Sequence, residues 1–163
     1  MHNNDTVILS LGSNIGNKKE YIKNAKKALK KFRFDIKKES SFYKTAPYGN
    51  KNQDNFINQV IIAKTTLKPI QLLILNKKIE EDLGRIPREK WGPREIDIDI
   101  LFYNNIILNS DRLTIPHPDL HNRNFILTPL NEIVPDLEHP VLKKTIAQLL
   151  EECSDTSEVK KIK

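Results

Sequence analysis

The spacing of hydrophobic and polar residues changes from strand-like to helix-like several times along the chain. Residues 6–11 form a short apolar run that ends at Gly12, a pattern typical of a buried strand. Between residues 18 and 32, apolar side chains recur every three or four positions, which predicts an amphipathic helix. Residues 34–43 carry spaced aromatic and aliphatic side chains, and residues 56–66 are β-branched in their second half, so we expect a strand in each.

The same alternation continues in the second half of the chain. A helix is expected to begin at Pro69, which suits a first helical turn, and to end at Gly84, a natural C-terminal cap. Residues 96–103, with the sequence IDIDILFY, form the most distinctive strand. We expect the pair 104–105 to turn the chain tightly into residues 106–108, so that the two segments form a hairpin.

Two further helices complete the expected order of elements. Residues 125–134 predict a short helix interrupted at Pro129, and residues 144–152 predict a final helix. The order is therefore β-α-β-β-α-β, followed by a C-terminal hairpin strand and helices. This order predicts an α+β fold, a ferredoxin-like βαββαβ sheet with helices packed on it, in a single domain spanning residues 1–163.

The composition is that of a globular protein. The chain has 163 residues, of which 38% are hydrophobic and 29% are charged. Its single cysteine, Cys153, excludes an internal disulfide framework. Because no apolar run suits a secretory signal or a bilayer span, we expect a cytoplasmic protein without a membrane partner. No feature of the sequence demands an oligomer, so we expect a monomer.

The formal net charge of +6 permits a nucleic acid, a membrane surface or an anionic small substrate as partner. Part of this charge is uninformative, because the lysines of the helix at residues 18–32 are expected to form a solvated face. The basic residues at 160–163 are expected to be a frayed end of the chain. The informative basic residues cluster in one loop beside acidic residues, and they are Arg85, Arg88, Lys90 and Arg94.

Two aspartates stand two positions apart in the expected strand at residues 96–103. Because alternate strand residues point to opposite faces, the three isoleucines of IDIDI share one face, whereas Asp97 and Asp99 share the other. Neighbouring carboxylates repel unless a positive charge lies between them, and hard carboxylate oxygens suit Mg²⁺ held together with substrate phosphates. The alternative is a half-exposed strand whose acids simply meet water.

The loop before this strand, residues 84–94, contains three arginines and a tryptophan. Arginine side chains pair readily with phosphate oxygens, and here they flank the carboxylate pair. A phosphate site is therefore indicated, and a surface loop with scattered salt bridges is the alternative. Trp91 either stacks on a flat ligand or anchors the loop in the core.

Several segments together resemble a known family. Residues 91–100, WGPREIDIDI, look like the signature of the 6-hydroxymethyl-7,8-dihydropterin pyrophosphokinases of folate biosynthesis. Further segments resemble this family in the same order along the chain, namely 11–14, 40–49, 56–58, 80–85 and 116–125. The likeness extends over nearly the whole chain, which makes it more specific than any one motif.

The resemblance implies an ATP-dependent diphosphotransferase. Members of this family transfer the β,γ-diphosphate of ATP to the hydroxymethyl group of the pterin and release AMP. The resemblance implies that Asp97 and Asp99 hold two Mg²⁺ ions between ATP and the pterin hydroxyl, and that Arg85 and Arg94 neutralise phosphate charge. No general base is obvious in the sequence, and activation of the hydroxyl by magnesium would suffice.

The resemblance also assigns the ligand contacts. The expected pterin-binding residues are Thr45, Pro47, Tyr48, Phe56, Asn58, Trp91 and Phe125. The expected ATP-binding residues are Lys77, Glu80, Arg85, Arg88, Trp91, Arg94, Ile100, Arg112, Thr114, His117 and Arg123. Asn58 is expected to hydrogen-bond the edge of the pterin, while Phe125 and a second aromatic side chain clamp its flat face.

Some positions depart from the family pattern. The loop from residue 84 to residue 91 is one residue shorter, so that the role expected of Arg88 could fall to Lys90. Lys77 stands where the family usually has Gln, and Asn124 replaces a small residue beside the pterin-clamping phenylalanine. None of these changes touches the two aspartates.

Two other classes of function stay open on the residues alone. A nucleic-acid-binding module on a ferredoxin-like sheet would use the positive charge and the strand aromatics, but the two acids on the strand at residues 96–103 repel a phosphate backbone unless metal is bound. A metal-dependent nucleotidyltransferase or cyclase would use the same acid pair and release pyrophosphate. A P-loop kinase is excluded, because the turn from Gly12 to Gly16 lacks the Gly-Lys-Ser/Thr ending.

Overall fold

A computed structural model describes residues 4–163 of the chain. Within these residues, a six-stranded antiparallel sheet and a small two-stranded sheet are combined with four α-helices. The strands are β1 (Asp5–Ser13), β2 (Phe34–Glu39), β3 (Phe42–Thr45), β4 (Phe56–Thr65), β5 (Asp97–Tyr103), β6 (Leu108–Asn109), β7 (Thr114–Ile115) and β8 (Val159–Ile162). The helices are α1 (Lys18–Lys30), α2 (Pro69–Asp82), α3 (Asn124–Ile133) and α4 (Ile146–Glu152).

The order of strands in the main sheet is β5-β1-β4-β3-β8, and β2 also pairs with β4. Strand β1 is an inner strand, between β5 and β4, and it is an almost continuous run of buried residues, as a strand covered on both faces must be. With β2 and β3 taken together, the first six elements have the split βαβ arrangement. The predicted α+β, ferredoxin-like class is therefore confirmed.

The helices cover both faces of the sheet. Helices α1 and α2 pack on the face that carries Leu9, Leu11 and Ile98, where they form the larger hydrophobic core. Helices α3 and α4 pack on the opposite face, against Ile8 and Val60. Because alternate residues of β5 point to opposite faces, Asp97 and Asp99 point away from the larger core. None of the helices in the described part of the chain is long and apolar enough to cross a membrane.

The pairing register brings distant residues together at one end of the sheet. Gly12 of β1 lies opposite Asn58 of β4 on one side and opposite Asp97 of β5 on the other. Ser10 of β1 lies opposite Asp99. The sheet therefore places a polar strand segment from each of three strands side by side.

Two predictions about the strands are wrong in detail. Residues 34–43 form two strands, β2 and β3, which both pair with β4. Residues 106–108 do not pair with β5; instead β6 pairs with β7 in the small sheet. The reason is a long-range contact: Asn104 has a positive φ of 48°, and its side chain accepts a hydrogen bond from the N–H of Thr6. This contact ties the turn to the start of β1 and leads the chain away from β5.

Two predictions about the C-terminal third are also wrong. Helix α3 is continuous across Pro129, which removes only one backbone donor while the apolar face on either side packs into the smaller core. The lysines predicted to lie in a frayed end are ordered in part, because Lys160 and Lys161 belong to β8. Strand β8 pairs with β3, which would otherwise be an exposed edge of the sheet.

A polar cluster around Glu132 joins α3 to the edge of the sheet. The Glu132 carboxylate accepts hydrogen bonds from the Ser41 N–H at 2.9 Å, the Ser41 hydroxyl at 2.7 Å and the Tyr43 hydroxyl at 2.9 Å. Lys161 of β8 lies 3.4 Å from the same carboxylate. One glutamate thus connects α3, β3 and β8.

Replacing Glu132 with Gln is expected to lower the midpoint of thermal unfolding at pH 7 by about 2–4 °C, which corresponds to about 1 kcal/mol. Burial raises the pKa of Glu132, but hydrogen bonds from Ser41 and Tyr43, with the bond from Lys161, outweigh burial and hold the pKa below its ordinary value of 4.5. The ionised carboxylate therefore stabilises the fold fully above about pH 5, and this stabilisation is lost as the pH falls through the lowered native pKa.

Circular dichroism melts of wild type and the Glu132→Gln variant over a series of pH values test this expectation. The difference between their midpoints should shrink as the pH falls below 4.5, the ordinary pKa of a glutamate. The exposed Glu151 offers a matched control, since Glu151→Gln should leave the midpoint unchanged. A difference that stays constant down to acid pH would contradict a role for the ionised form.

Candidate active site

A cavity opens at the end of the sheet where β1, β4 and β5 meet. It encloses about 550 Å³ of empty space, part of which is open to solvent. Its walls combine apolar, aromatic and charged side chains, and they are formed by Ser10, Gly12, Thr45, Ala46, Tyr48, Phe56, Asn58, Trp91, Arg94, Asp97, Asp99, Arg123 and Phe125. The cavity therefore joins the expected pterin-binding residues to the carboxylate pair.

Asp97 is held by two arginines from the loop that precedes β5. Arg85 Nη1 lies 3.1 Å from one carboxylate oxygen of Asp97, and Arg94 Nη1 lies 3.0 Å from the other. Burial raises the pKa of Asp97, but the charges of Arg94 and Arg85 outweigh burial and lower the pKa below its ordinary value. Asp97 is therefore a carboxylate at neutral pH.

Asp99 lies in a different electrostatic environment. Burial and the negative charges of Asp97 and Glu80 raise its pKa to about 8, although Arg123 and Lys77 act in the opposite direction. Burial and these two neighbouring carboxylates therefore both disfavour the ionised form of Asp99. A cation bound at this point would relieve the repulsion.

The donor set of the cavity fits Mg²⁺. The two carboxylates supply hard oxygen ligands from one face of β5, and the described residues contain no group of three or more His, Cys, Asp or Glu side chains arranged around a metal position. Mg²⁺ is typically held by one or two carboxylates while substrate phosphates and water complete its shell. Asp97 and Asp99 would thus hold the ion, and the open cavity leaves room for the remaining ligands.

Arg85 and Arg88 have different partners in the loop. Arg85 bridges two acids, because its Nη1 also lies 2.8 Å from Glu80, whose carboxylate accepts the N–H of Ile98 at 2.7 Å. Arg88 instead forms two bonds of 2.7 Å with Glu95. Only Arg85 and Arg94 therefore contact the aspartate pair, and the expected contact of Arg88 with ATP stays a prediction.

Polar side chains from two other loops hold the arginine loop in place. Asn14 accepts the N–H of Arg94 at 2.8 Å and donates its side-chain amide to Gln53 at 2.8 Å. Gln53 in turn donates to the carbonyl of Trp91 at 2.6 Å. Sequence reasoning gave no role to Gln53, because a single polar residue in a loop has no periodicity that would signal its position.

Trp91 lies in the cavity wall and not in the core. Its ring centroid is 5.1 Å from that of Tyr48, and the Tyr48 centroid is 5.9 Å from that of Phe125. The guanidinium of Arg123 lies over all three rings, at 4.9 Å from the centroid of Tyr48, 5.6 Å from that of Trp91 and 5.9 Å from that of Phe125. The Arg123 Nε is buried without a hydrogen-bond partner among the described residues, so a donor is available beside the aromatic wall.

A second part of the cavity wall is polar and closely packed. The Asn58 side-chain amide donates to the Thr45 hydroxyl at 2.7 Å, and both residues are buried. A Cβ added at Gly12 would lie only 2.5 Å from Asn58 Oδ1, so glycine is the residue that leaves this wall open. Of the expected pterin-binding residues, only Pro47 lies outside the cavity wall, where its neighbour Ala46 takes part instead.

Several of the expected ATP-binding residues do not line this cavity. Lys77 and Arg112 line a second, more open depression on the outer face of α2, together with the apolar Leu73 and Ile74. Ile100 is 5% exposed and belongs to the larger core, and Thr114 lies in β7.

His117 and Asp119 form a small turn near Arg123. His117 Nδ1 accepts the N–H of Asp119 at 3.1 Å. Burial lowers the pKa of His117 to about 4, and the positive charge of Arg123 adds to the effect, although Asp119 opposes it. His117 is therefore neutral at pH 7, and its expected contact with ATP stays a prediction.

The cavity has the parts that an enzyme for phosphate-group transfer needs: a carboxylate pair suited to Mg²⁺, arginines beside it, and a flat aromatic pocket. Residues 8–135 match the model of the 7,8-dihydro-6-hydroxymethylpterin-pyrophosphokinase (HPPK) family. The chain therefore belongs to this family, as the sequence motifs predicted.

Relatives of known name support this assignment. The chain is 46% identical over 143 residues to the 2-amino-4-hydroxy-6-hydroxymethyldihydropteridine pyrophosphokinase of Aquifex aeolicus, and the match covers 88% of this chain and 89% of the relative. The enzyme of the same name from Haemophilus influenzae is 38% identical over 156 residues, covering 95% and 97% of the two chains.

Solved structures support the fold. A crystal structure of a Plasmodium falciparum HPPK-DHPS triple mutant matches with a TM-score of 0.75 and 19% identity, covering 93% of this chain. The matched region is 44% of that longer chain, so this chain spans less than half of its length.

Proposed function

We propose that this protein transfers the β,γ-diphosphate of ATP to the hydroxymethyl group of 6-hydroxymethyl-7,8-dihydropterin and releases AMP. This proposal rests on one observation: a pocket suited to the pterin and a site suited to the phosphates lie in the same cavity. The aromatic and amide-lined pocket suits a flat polar heterocycle, while Asp97 and Asp99 with their arginines suit a polyphosphate.

The pterin half of the site would recognise both the faces and the edge of the ring. Phe125 and Trp91 offer flat apolar surfaces on one wall, and Tyr48 lies between them. Asn58 and Thr45 offer hydrogen-bonding groups on the other wall. Burying a flat polar ring needs apolar walls and satisfied polar atoms together, and these residues supply both.

The phosphate half of the site would work by positioning and charge neutralisation. Asp97 and Asp99 would hold Mg²⁺, whose charge would neutralise phosphate charge and make the pterin hydroxyl more acidic. Arg85 and Arg94 each contact one oxygen of Asp97, so their positive charges lie beside the carboxylate at which the phosphates would bind. Glu80 would keep Arg85 in place.

The product of the reaction decides between the proposal and its rivals. The protein is mixed with ATP, Mg²⁺ and 6-hydroxymethyl-7,8-dihydropterin, and the nucleotides are separated by anion-exchange chromatography. AMP that forms only when the pterin is present supports the proposal. Formation of ADP, release of free pyrophosphate by a nucleotidyltransferase or cyclase reaction, or no turnover would refute it.

A nucleic-acid-binding function is less well supported by the same cavity. The acids on β5 are directed into the pocket and away from the larger core, so the face that would have to stack bases carries negative charge. A gel-shift assay with single-stranded RNA, run beside the ATP-binding assay, separates the two functions. Salt-resistant RNA binding without ATP binding would favour the module.

The proposal also includes the oligomeric state, the domain organisation and the cellular location of the enzyme. We expect a monomer that consists of one domain and acts in the cytoplasm. Size-exclusion chromatography with light scattering checks the first expectation, because a monomer has a mass of 18.9 kDa. Cell fractionation checks the second.

Replacing Gly12 with Ala is expected to raise the KM for the pterin by about tenfold or more and to leave the KM for ATP nearly unchanged. The added Cβ would lie 2.5 Å from Asn58 Oδ1 and 3.8 Å from the ring of Phe56, so the Asn58 side chain has to leave its bond with Thr45. Steady-state kinetics with each substrate varied in turn measure the effect. Equal increases in both KM values would contradict a pterin pocket at this wall.

A further inference from the structure

The segment from Asp155 to Ile162 contacts both walls of the proposed pterin pocket, although it lies beyond residues 8–135 that match the family model. One end of the segment bonds to the start of α3, directly before Phe125. The other end is β8, which pairs with β3 up to Thr45. The segment therefore spans from the aromatic wall to the polar wall.

The contact with the aromatic wall is made through Asn124, the residue that departs from the small residue usual in the family. Asp155 Oδ2 accepts the N–H of Asn124 at 3.1 Å, and the Asn124 side-chain amide donates to the carbonyl of Ser157 at 3.0 Å. The Asn124 side-chain oxygen also accepts the Thr128 hydroxyl at 2.7 Å. Asn124 thus fixes the first turn of α3, and with it the position of the adjacent Phe125, against the segment.

The contact with the polar wall is made by backbone pairing. Val159 pairs with Thr45, and the N–H of Ala46 donates to the carbonyl of Glu158 at 3.3 Å. Thr45 is the residue whose hydroxyl accepts the side-chain amide of Asn58 inside the pocket. The polar wall, which would hydrogen-bond the pterin edge, is therefore bonded to this eight-residue segment. The aromatic wall, which would stack on the face of the pterin, is bonded to the same segment.

We propose that the segment 155–162 is a positioning element that sets the separation of the two pterin-binding walls, with Asn124 and Asp155 as its positioning residues. This inference rests on the proposed function. Among the described residues, no hydrogen bond or ion pair joins the segment to Asp97, Arg85 or Arg94. Its bonds to the rest of the protein end at Asn124, Ala46, β3 and Glu132. The segment should therefore affect the affinity for the pterin and not ATP binding or the transfer of the diphosphate.

The test uses full-length variants with steady-state kinetics and an independent binding measurement. Asn124→Ala and Asp155→Ala are each expected to raise the KM for the pterin about threefold to tenfold while kcat and the KM for ATP stay within about twofold of wild type. Asp155→Asn keeps one acceptor oxygen and is expected to restore part of the loss. Lys160→Ala changes an exposed side chain of β8 and is expected to match wild type.

Fluorescence provides the second readout. Trp91 is the only tryptophan of the sequence and lies in the cavity wall, so its emission can follow pterin binding in the presence of Mg²⁺ and a non-hydrolysable ATP analogue. The dissociation constant for the pterin should rise by the same factor as its KM. A purely structural role would instead lower the unfolding midpoint and leave the pterin constants unchanged.

The outcomes separate this inference from the proposed function. If wild type makes no AMP, the proposed function fails and the inference fails with it. If wild type is active but a folded Asn124→Ala variant has an unchanged pterin KM, or equal increases in both KM values, only the positioning role is overturned. If Asp155→Ala does not fold by circular dichroism, Asn124→Ala decides by the same criteria.

Discussion

Replacement of Asp99 by Asn is expected to reduce turnover by at least about 10³-fold while the protein stays folded. The substitution keeps the shape of the side chain but removes one oxygen ligand for Mg²⁺, and the side chain can no longer ionise when the metal binds. Burial and the charges of Asp97 and Glu80 raise the pKa of Asp99 to about 8, so without metal its side chain is mostly neutral at pH 7 and a neutral Asn can replace it at little cost in stability. The variant should therefore unfold at about the same temperature as wild type.

Asp97→Asn gives a contrasting result that tests the same assignment. Turnover should fall as far, but the unfolding temperature should fall too, because Arg85 and Arg94 each lose a charged partner. Asp82→Asn is a suitable control, since Asp82 is exposed at the end of α2 and pairs only with Lys78. Near-normal turnover in either variant would refute the assignment of the metal-binding residues.

The sequence was sufficient to predict the helices and strands in which several residues repeat the same hydrophobic pattern. The buried run of β1, the helical stripe of α1 and the alternation in β5 each use several residues to define one face, and tertiary packing agreed with all three. The alternation in β5 also placed Asp97 and Asp99 on one face. Asp97 and Asn58 lie on either side of Gly12 because β1 is placed between β5 and β4. This strand order cannot be predicted from any local sequence pattern.

The features that the sequence did not predict depend on single long-range contacts. The hairpin after β5 was wrong because Asn104 bonds to Thr6 at the far end of the chain, and β8 was missed because its lysines suggest a solvated end. Gln53 fixes Trp91 through one hydrogen bond. Each of these contacts joins residues far apart in sequence, and one residue of each pair carries no distinctive pattern.

Arg94→Met and Arg85→Met are expected to separate the roles of the two arginines. Arg94 contacts Asp97 and the carbonyl of Gly92, so its loss should lower kcat by about 10²–10³-fold, with a smaller loss of stability than Arg85→Met causes because Arg85 still pairs with Asp97. Arg85 contacts the buried Glu80 as well as Asp97. Its loss should lower kcat similarly and also destabilise the fold by about 1–3 kcal/mol, because Glu80 is then buried without its closest cation.

The double variant Glu80→Gln with Arg85→Met tests the reason for this difference. Burial raises the pKa of Glu80 and the charge of Asp97 adds to the effect, while the N–H of Ile98 and the charge of Arg85 oppose it. A neutral Gln at this position can still accept the N–H of Ile98, so the double variant should regain much of the lost stability but none of the activity. Chemical denaturation and AMP formation measure the two quantities separately. If Arg85→Met is as stable as wild type, the buried Glu80 does not need the charge of Arg85 for the fold to be stable. If the double variant regains activity, Arg85 acts only through Glu80 and does not neutralise phosphate charge.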